Sequence, residues 1–203
     1  MGLLSTSIGL TRYNVKGRLK APTLDTVLKL LRKHTITDID RKDSEKAVGW
    51  TSFQTPFNPN FKGSLFIIGT YFVFSLRIDK KNIPVKMIKK HCLLEEARKL
   101  KEDERDFLSR NEKKMIKENV ISVLSQRVPA TPNVYDLFWD YENAKLYFLS
   151  NQKSANEELE NLFPKTFSLS LIRLFPYSMA ELTPKLTSSE KDLLVKLTPT
   201  KFS

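Results

Sequence analysis

The stretch that most constrains this chain is residues 83–128. It contains no glycine and no proline after Pro84, and segments rich in aromatic and β-branched residues lie on both sides of it. Pro84 suits the first position of a helix, where its missing N–H would have no intrahelical acceptor. The segment PVKMIKKHCLLEEARKLK then runs to the acidic cluster Glu102-Asp103-Glu104. A second helix starts more clearly. Ser109 and Glu112 have the spacing of a capping box, in which side chain and backbone satisfy each other's orphan donors. Behind them Ile116, Val120, Val123 and Leu124 recur on one face, and Arg110, Lys113, Lys114 and Lys117 form a stripe of positive charge. Two basic amphipathic helices between β-patterned flanks make the chain α+β, with an antiparallel or mixed sheet body and a projecting basic helical pair.

A lysine stripe is commonly just a solvated helix face. The charge distribution favours a stronger reading. The 203 residues carry a net charge of +11. Residues 1–76 hold 11 Lys and Arg against 5 acids, residues 77–128 hold 15 against 9, and residues 129–203 hold 8 against 9. The whole excess therefore lies in the first two-thirds, which suits a polyanionic partner better than general solubility. One cysteine, Cys92, allows no internal disulfide and no cysteine-based metal site. The opening MGLLSTS lacks a charged segment followed by an apolar core, and no apolar run approaches a membrane span. A cytoplasmic, nucleoid-associated protein is expected. The two basic helices are expected to set few large apolar residues opposite their charges, which argues against a membrane surface.

Taken in order, residues 5–15 read as a strand ended by Gly17. Pro22-Thr23 opens a helix with Thr23 as cap and Leu24, Val27, Leu28 and Leu31 as its buried stripe. Residues 48–53 form a short strand and 53–61 a loop. Residues 65–68 and 71–78 form a hairpin or one bent strand broken at Gly69. Residues 134–141 and 145–150 form a second hairpin, with Phe138, Leu146 and Phe148 inward. A helix over 155–162 ends before Pro164, a strand covers 168–174, and a short helix covers 190–197. The expected organisation is a sheet-based body from 1–82 and 129–180, a helical arm from 83–128, and a tail from 181–203.

No nucleophile elbow, Walker loop or dinucleotide fingerprint is present, and six glycines leave little loop material for cradling phosphates. His34 and His91 lie among basic residues, so no metal or cofactor is expected. A metal-dependent nuclease would need converging carboxylates. The candidates are Asp38, Asp40 and Asp43, or Asp136, Asp140 and Glu142. Loop polarity and edge-strand charge explain both sets more simply, so no catalytic residue is expected.

Several segments resemble the bacterial recombination-associated RdgC family. They are Ile83-Pro84-Val85 with Ile88-Lys89, residues 96–101, Glu112-Lys113-Lys114, residues 117–120, the upstream Gly49-Trp50, Arg127, and the hairpin and helix of 140–162. The similarity spans most of residues 7–176. It implies a non-catalytic protein that binds double-stranded DNA with little sequence preference, pairs into a ring-shaped homodimer with a positive hole, and restrains RecA-dependent strand exchange. It reads this chain as a short form lacking the C-terminal region of longer members, which leaves a closed ring and an open dimer as alternatives. Residues 128–132 depart from the pattern, lacking the aromatic and second arginine usual there.

The expected DNA-binding residues are Lys86, Lys89, Lys90, Arg98 and Lys99 on the first helix, and Arg110, Lys113, Lys114, Lys117 and Arg127 on the second. Arg12, Lys16, Arg32 and Lys33 are candidates for the rest of the surface. The alternatives are the nuclease and a protein-interaction module for an acidic partner.

Overall fold

A computed structural model describes residues 8–19, 23–61, 67–182 and 186–196. Among these residues, seven antiparallel strands form one curled sheet in the order β2-β4-β5-β6-β1-β7, with β3 paired to the start of β4. The strands are β1 (Thr11–Lys16), β2 (Lys46–Thr51), β3 (Ile67–Ile68), β4 (Tyr71–Lys80), β5 (Thr131–Asp140), β6 (Lys145–Phe148) and β7 (Ser170–Leu174). The helices are α1 (Thr23–Lys33), α2 (Val85–Glu102), α3 (Arg110–Arg127), α4 (Lys153–Phe167), α5 (Pro176–Glu181) and α6 (Ser188–Lys196). The protein is therefore α+β.

The longest ladder joins β4 to β5 over ten residue pairs, from Tyr71↔Asp140 to Lys80↔Thr131. The chain between those two strands is the stretch that holds α2 and α3. The helical segment thus occupies the connection of a long β-hairpin.

Alternation along the strands gives the sheet two unlike faces. Tyr13, Val15, Trp50, Phe72, Phe74, Leu76, Leu137, Trp139, Leu146 and Phe148 point to one face and form the core with Val27 and Leu31 of α1 and Leu159, Phe163 and Phe167 of α4. The indole of Trp50 donates to the Thr166 hydroxyl at 2.9 Å and lies edge-on to Phe74 and Phe163.

Phe138 does not face this core. The register pairs Leu137 with Phe148 and Trp139 with Leu146, leaving Phe138 opposite Tyr147 on the other face. Leu137-Phe138-Trp139 is apolar throughout, so its parity is invisible locally and is set by the neighbouring strand.

The helix expected over 155–162 runs from Lys153 through Pro164 to Phe167. An internal proline costs about 3 kcal/mol. Stopping at 162 would forfeit the burial of Phe163 and Phe167, 0% and 2% exposed, each worth about 1.5–3 kcal/mol. Burial outweighs the break. The helix ends instead at Ser168, which takes a left-handed conformation (φ 55°).

Other differences are smaller. Leu24 is exposed, so the buried side of α1 rests on Val27 and Leu31, with Leu28 and Leu30 packed partly against the core. Pro84 is the N-cap of α2 and not its first helical residue. Strand β1 begins at Thr11, and α5 is a helix that was not expected. The expected strand start at 5–7, the Pro22–Thr23 cap, residues 65–66 and the helix end at 197 lie outside the described residues or side chains.

Gly49 has a specific reason to be glycine. After α1 the chain runs beside β2, with Trp50 N–H donating to the His34 carbonyl at 2.9 Å and Ile36 N–H to the Trp50 carbonyl at 3.0 Å. A Cβ on Gly49 would sit 2.5 Å from the backbone nitrogen and Cα of Ile36. Backbone held by two hydrogen bonds cannot yield cheaply, so Gly49→Ala should destabilise the fold by about 1–3 kcal/mol. Urea unfolding followed by tryptophan fluorescence measures this; an unchanged midpoint would refute the close approach.

Candidate nucleic-acid interface

The site is built on α2, α3 and the way they are held to the sheet. At the start of α3 the expected capping box is present. The Glu112 N–H donates to the Ser109 hydroxyl at 3.2 Å, and the Ser109 N–H donates to the Glu112 carboxylate at 2.8 Å. Arg105, in the bend between the helices, donates to the same carboxylate at 2.9 Å and also pairs with Asp103. Lys99 approaches it at 3.7 Å from α2. The Ser109 hydrogen bonds, seconded by Arg105, hold the Glu112 carboxyl at about 2, below its ordinary 4.5.

The two helices meet through half-buried residues, Ile88, His91, Cys92, Glu95 and Lys99 on α2 and Ile116 on α3, with Val120 and Leu124 fully buried. Every residue of α2 is exposed or half-buried. The expected amphipathicity is weak: Val85, Leu93 and Leu94 of α2 and Met115 and Val123 of α3 are exposed, as is Phe107 in the bend at 78%. That corrects the expectation of few exposed apolar residues on these helices. Spacing alone could not separate the seam from the outer faces, because apolar residues occur around most of both helices.

The far end is tied to the body by groups that the sequence did not single out. Lys81, just beyond β4, is 5% exposed. Its ammonium donates to the carbonyls of Lys42 (2.7 Å), Asp40 (3.2 Å) and Ser125, the last in the final turn of α3. Positive charge at a helix C-terminus is favoured by the helix dipole. The Asp43 carboxylate accepts from Gln126 at 2.8 Å and Ser122 at 3.1 Å, both on α3, and these bonds lower its pKa. Asp40 accepts from the Ala130 N–H at 2.8 Å. Loop 37–43 therefore clasps the end of α3. Lys81 was missed because a buried lysine beside Lys80 looks like any other charged residue.

Within this frame the expected DNA-binding residues separate. Lys89, Lys113, Lys114 and Lys117 line one groove of about 500 Å³, with Ile88, Cys92, Leu93 and Glu96. Arg98 and Arg127 line another, with His91, Glu95 and Asn119. Arg98 is paired with Glu95 at 2.8 Å and Glu102 at 3.6 Å, Lys99 with Glu112, and Lys114 with Glu118 at 3.8 Å. Lys86, Lys90 and Arg110 are exposed on the same helices. Arg32 donates to the Phe61 carbonyl at 2.8 Å, and it and Lys33 ride on α1, over the core face. Arg12 is on the opposite face of the sheet, paired with Tyr147. The four body residues do not form one surface.

The nuclease carboxylates are dispersed. Asp136 accepts the Ser75 hydroxyl at 2.6 Å, while Asp140 accepts from the Asn143 backbone and side chain. Four residues along a strand separate them by about 13 Å. Among the described residues, no three His, Cys, Asp or Glu come together as a metal-holding group.

Residues 9–188 match the family model described as "RdgC: Putative exonuclease, RdgC". The chain belongs to the RdgC family. No curated protein matches it. Membership agrees with a recombination-related role and, through the words of that description, keeps the question of exonuclease chemistry attached to the family. No helix among the described residues is long and apolar enough to cross a membrane.

Two outcomes follow for this RdgC-family fold. Removing the Lys81 charge, as in Lys81→Met, strands carbonyls that it now satisfies and should cost about 2–3 kcal/mol. Amide exchange should quicken most in the last turn of α3; uniform quickening across the sheet would contradict a local clasp. Because Glu112 titrates below its ordinary value, its stabilisation is complete above about pH 4.5 and is lost as the pH falls toward about 2. Protection factors at the start of α3, with the intrinsic pH dependence of exchange divided out, should fall over that window in the native protein and show no such step in Glu112→Gln.

Proposed function

We propose that this RdgC-family protein binds double-stranded DNA without sequence preference through the α2–α3 face and thereby modulates recombination. The observation that carries the reading is the convergence of Lys89, Lys113, Lys114 and Lys117 on one groove. Of these four, only Lys114 has a carboxylate within 4 Å among the described residues, and that is an exposed i,i+4 pair of small energetic value. Their charges remain available to phosphate. The stripe from Arg110 to Lys117 is roughly 10 Å long on a helix rising 1.5 Å per residue, enough to follow more than one phosphate. Flexible lysines meeting phosphates fix position and affinity without reading base edges.

A protein that coats duplex phosphates competes with a RecA-type filament for the homologous duplex, which is how binding without catalysis would restrain strand exchange. The exposed Leu94, Met115 and Phe107, which do not line that groove, support self-association of the helical pair into a homodimer. Such a protein would work in the cytoplasm on the nucleoid. An acidic protein partner is the second reading, favoured by the apolar floor of the lysine groove at Ile88, Cys92 and Leu93.

Charge reversal at Lys113 and Lys117 should weaken binding to any duplex to a similar degree and flatten the dependence of log K on log salt by about two ions. Mobility-shift titrations at several salt concentrations give both quantities. Unchanged affinity would remove this surface from the proposal, and retention of an acidic protein with loss of duplex binding at moderate salt would favour the second reading.

A further inference from the structure

The groove between α2 and α3 has two walls of different chemistry. From α3 it takes Lys113, Lys114 and Lys117, so that wall is cationic throughout. From α2 it takes Ile88, Cys92 and Leu93, with Lys89 at one end and Glu96 at the other. Ile88 and Cys92 are half-buried and Leu93 is 67% exposed, so an apolar strip faces whatever enters the groove. At a rise of 1.5 Å per residue, the strip and its two ends extend for roughly 10–12 Å along α2.

The two walls together select the occupant. Duplex phosphates answer the lysines but offer nothing to Ile88, Cys92 and Leu93. A purely apolar segment covers that strip but takes water from three ammonium groups without replacing it, at a desolvation cost. A small amphiphilic acid needs an enclosed pocket to bury most of its surface, and this groove is open. A peptide with carboxylates on one side and large apolar side chains on the other meets both walls at once. Extended chain rises about 3.3 Å per residue, so three to four residues span the strip. Glu96, the carboxylate in the lining, repels acids from the α2 wall and keeps them on the α3 side.

We infer that the groove is the docking site of an acidic peptide segment of a partner protein, with its carboxylates on Lys113 and Lys117 and its large apolar side chains on Ile88 and Leu93. This rests on the second reading above and gives that partner its chemistry. Where duplex also binds through these lysines, peptide and DNA compete for the same ammonium groups. The partner then displaces the protein from DNA without any contact to the sheet.

The test is fluorescence anisotropy on the full chain with a labelled ten-residue peptide in which aspartates alternate with phenylalanine and leucine. A control peptide keeps the charge and carries serine at the apolar positions. The first peptide should bind about tenfold more tightly than the control and stay bound at salt that releases the control. Leu93→Ser, at an exposed position, should weaken peptide binding about tenfold and duplex binding far less, while charge reversal at Lys113 and Lys117 should weaken both. Equal binding of the two peptides, or unchanged peptide affinity in Leu93→Ser, would overturn the proposal. So would a changed solution mass as the sole effect of Leu93→Ser, which would give the strip to a second copy of the chain. Unlabelled duplex should displace the peptide; both bound at once would place the peptide elsewhere and refute the shared groove. Peptide binding by a protein that holds no duplex would keep the peptide site and remove the duplex reading. Duplex binding that depends on Lys113 and Lys117, with no peptide binding, would do the reverse.

Discussion

The ten-pair ladder between β4 and β5 is the constraint on which the rest depends. It sets the parity of the central strands, and so decides which residues meet α1 and α4 and which are left on the far face. It also fixes the root of the helical pair, since its last pair, Lys80 with Thr131, lies at the point where the chain departs for α2 and returns from α3. A register slip of one residue would put Asp136, Phe138 and Asp140 into the aromatic core and expel Leu137 and Trp139. The Ser75–Asp136 hydrogen bond, buried on the far face, would be lost with it.

Around that ladder two kinds of interaction divide the work. The core face is aromatic. Trp139 lies 5.1 Å and 5.0 Å, centroid to centroid, from Phe163 and Phe167, close enough to keep α4 helical through Pro164. The root of the helical pair is polar instead. There Lys81, Asp40 and Asp43 join loop 37–43 to the end of α3. Hydrogen bonds to charged groups are directional, so they orient the last turn of α3 where apolar contact would only gather it. Among the described residues α2 makes no such bond to the body: its half-buried side faces α3.

What could be read from the sequence was whatever is decided locally. The Ser109–Glu112 box, the helices on either side of the charged bend and the glycine at the β3–β4 turn depend on neighbours a few residues away. The α+β class and the family resemblance came from the order of such segments. Phe138 was misplaced because a three-residue apolar run has no parity of its own, and the end of α4 because proline's local penalty is overridden by burial of Phe163 and Phe167. Lys81 shows the same limit for the site. Its environment is made by Lys42 and Ser125, 39 and 44 residues away in sequence. The lysine stripe on α3 and Lys89 were legible from sequence, but the choice of Lys89 over Lys86 and Lys90 as the groove's α2 lysine, and the separation of Arg98 and Arg127 to another groove, required the packing of α2 on α3.

Under the proposed duplex reading, lysines on the helical pair would gain affinity by releasing condensed counterions, a gain that falls steeply as salt rises. The ladder sets the root of that pair, and Lys81 with loop 37–43 orients the last turn of α3. The groove of Lys89, Lys113, Lys114 and Lys117 is therefore carried on a frame that the sheet defines, and a change at the root would act on the groove without touching one of its lysines.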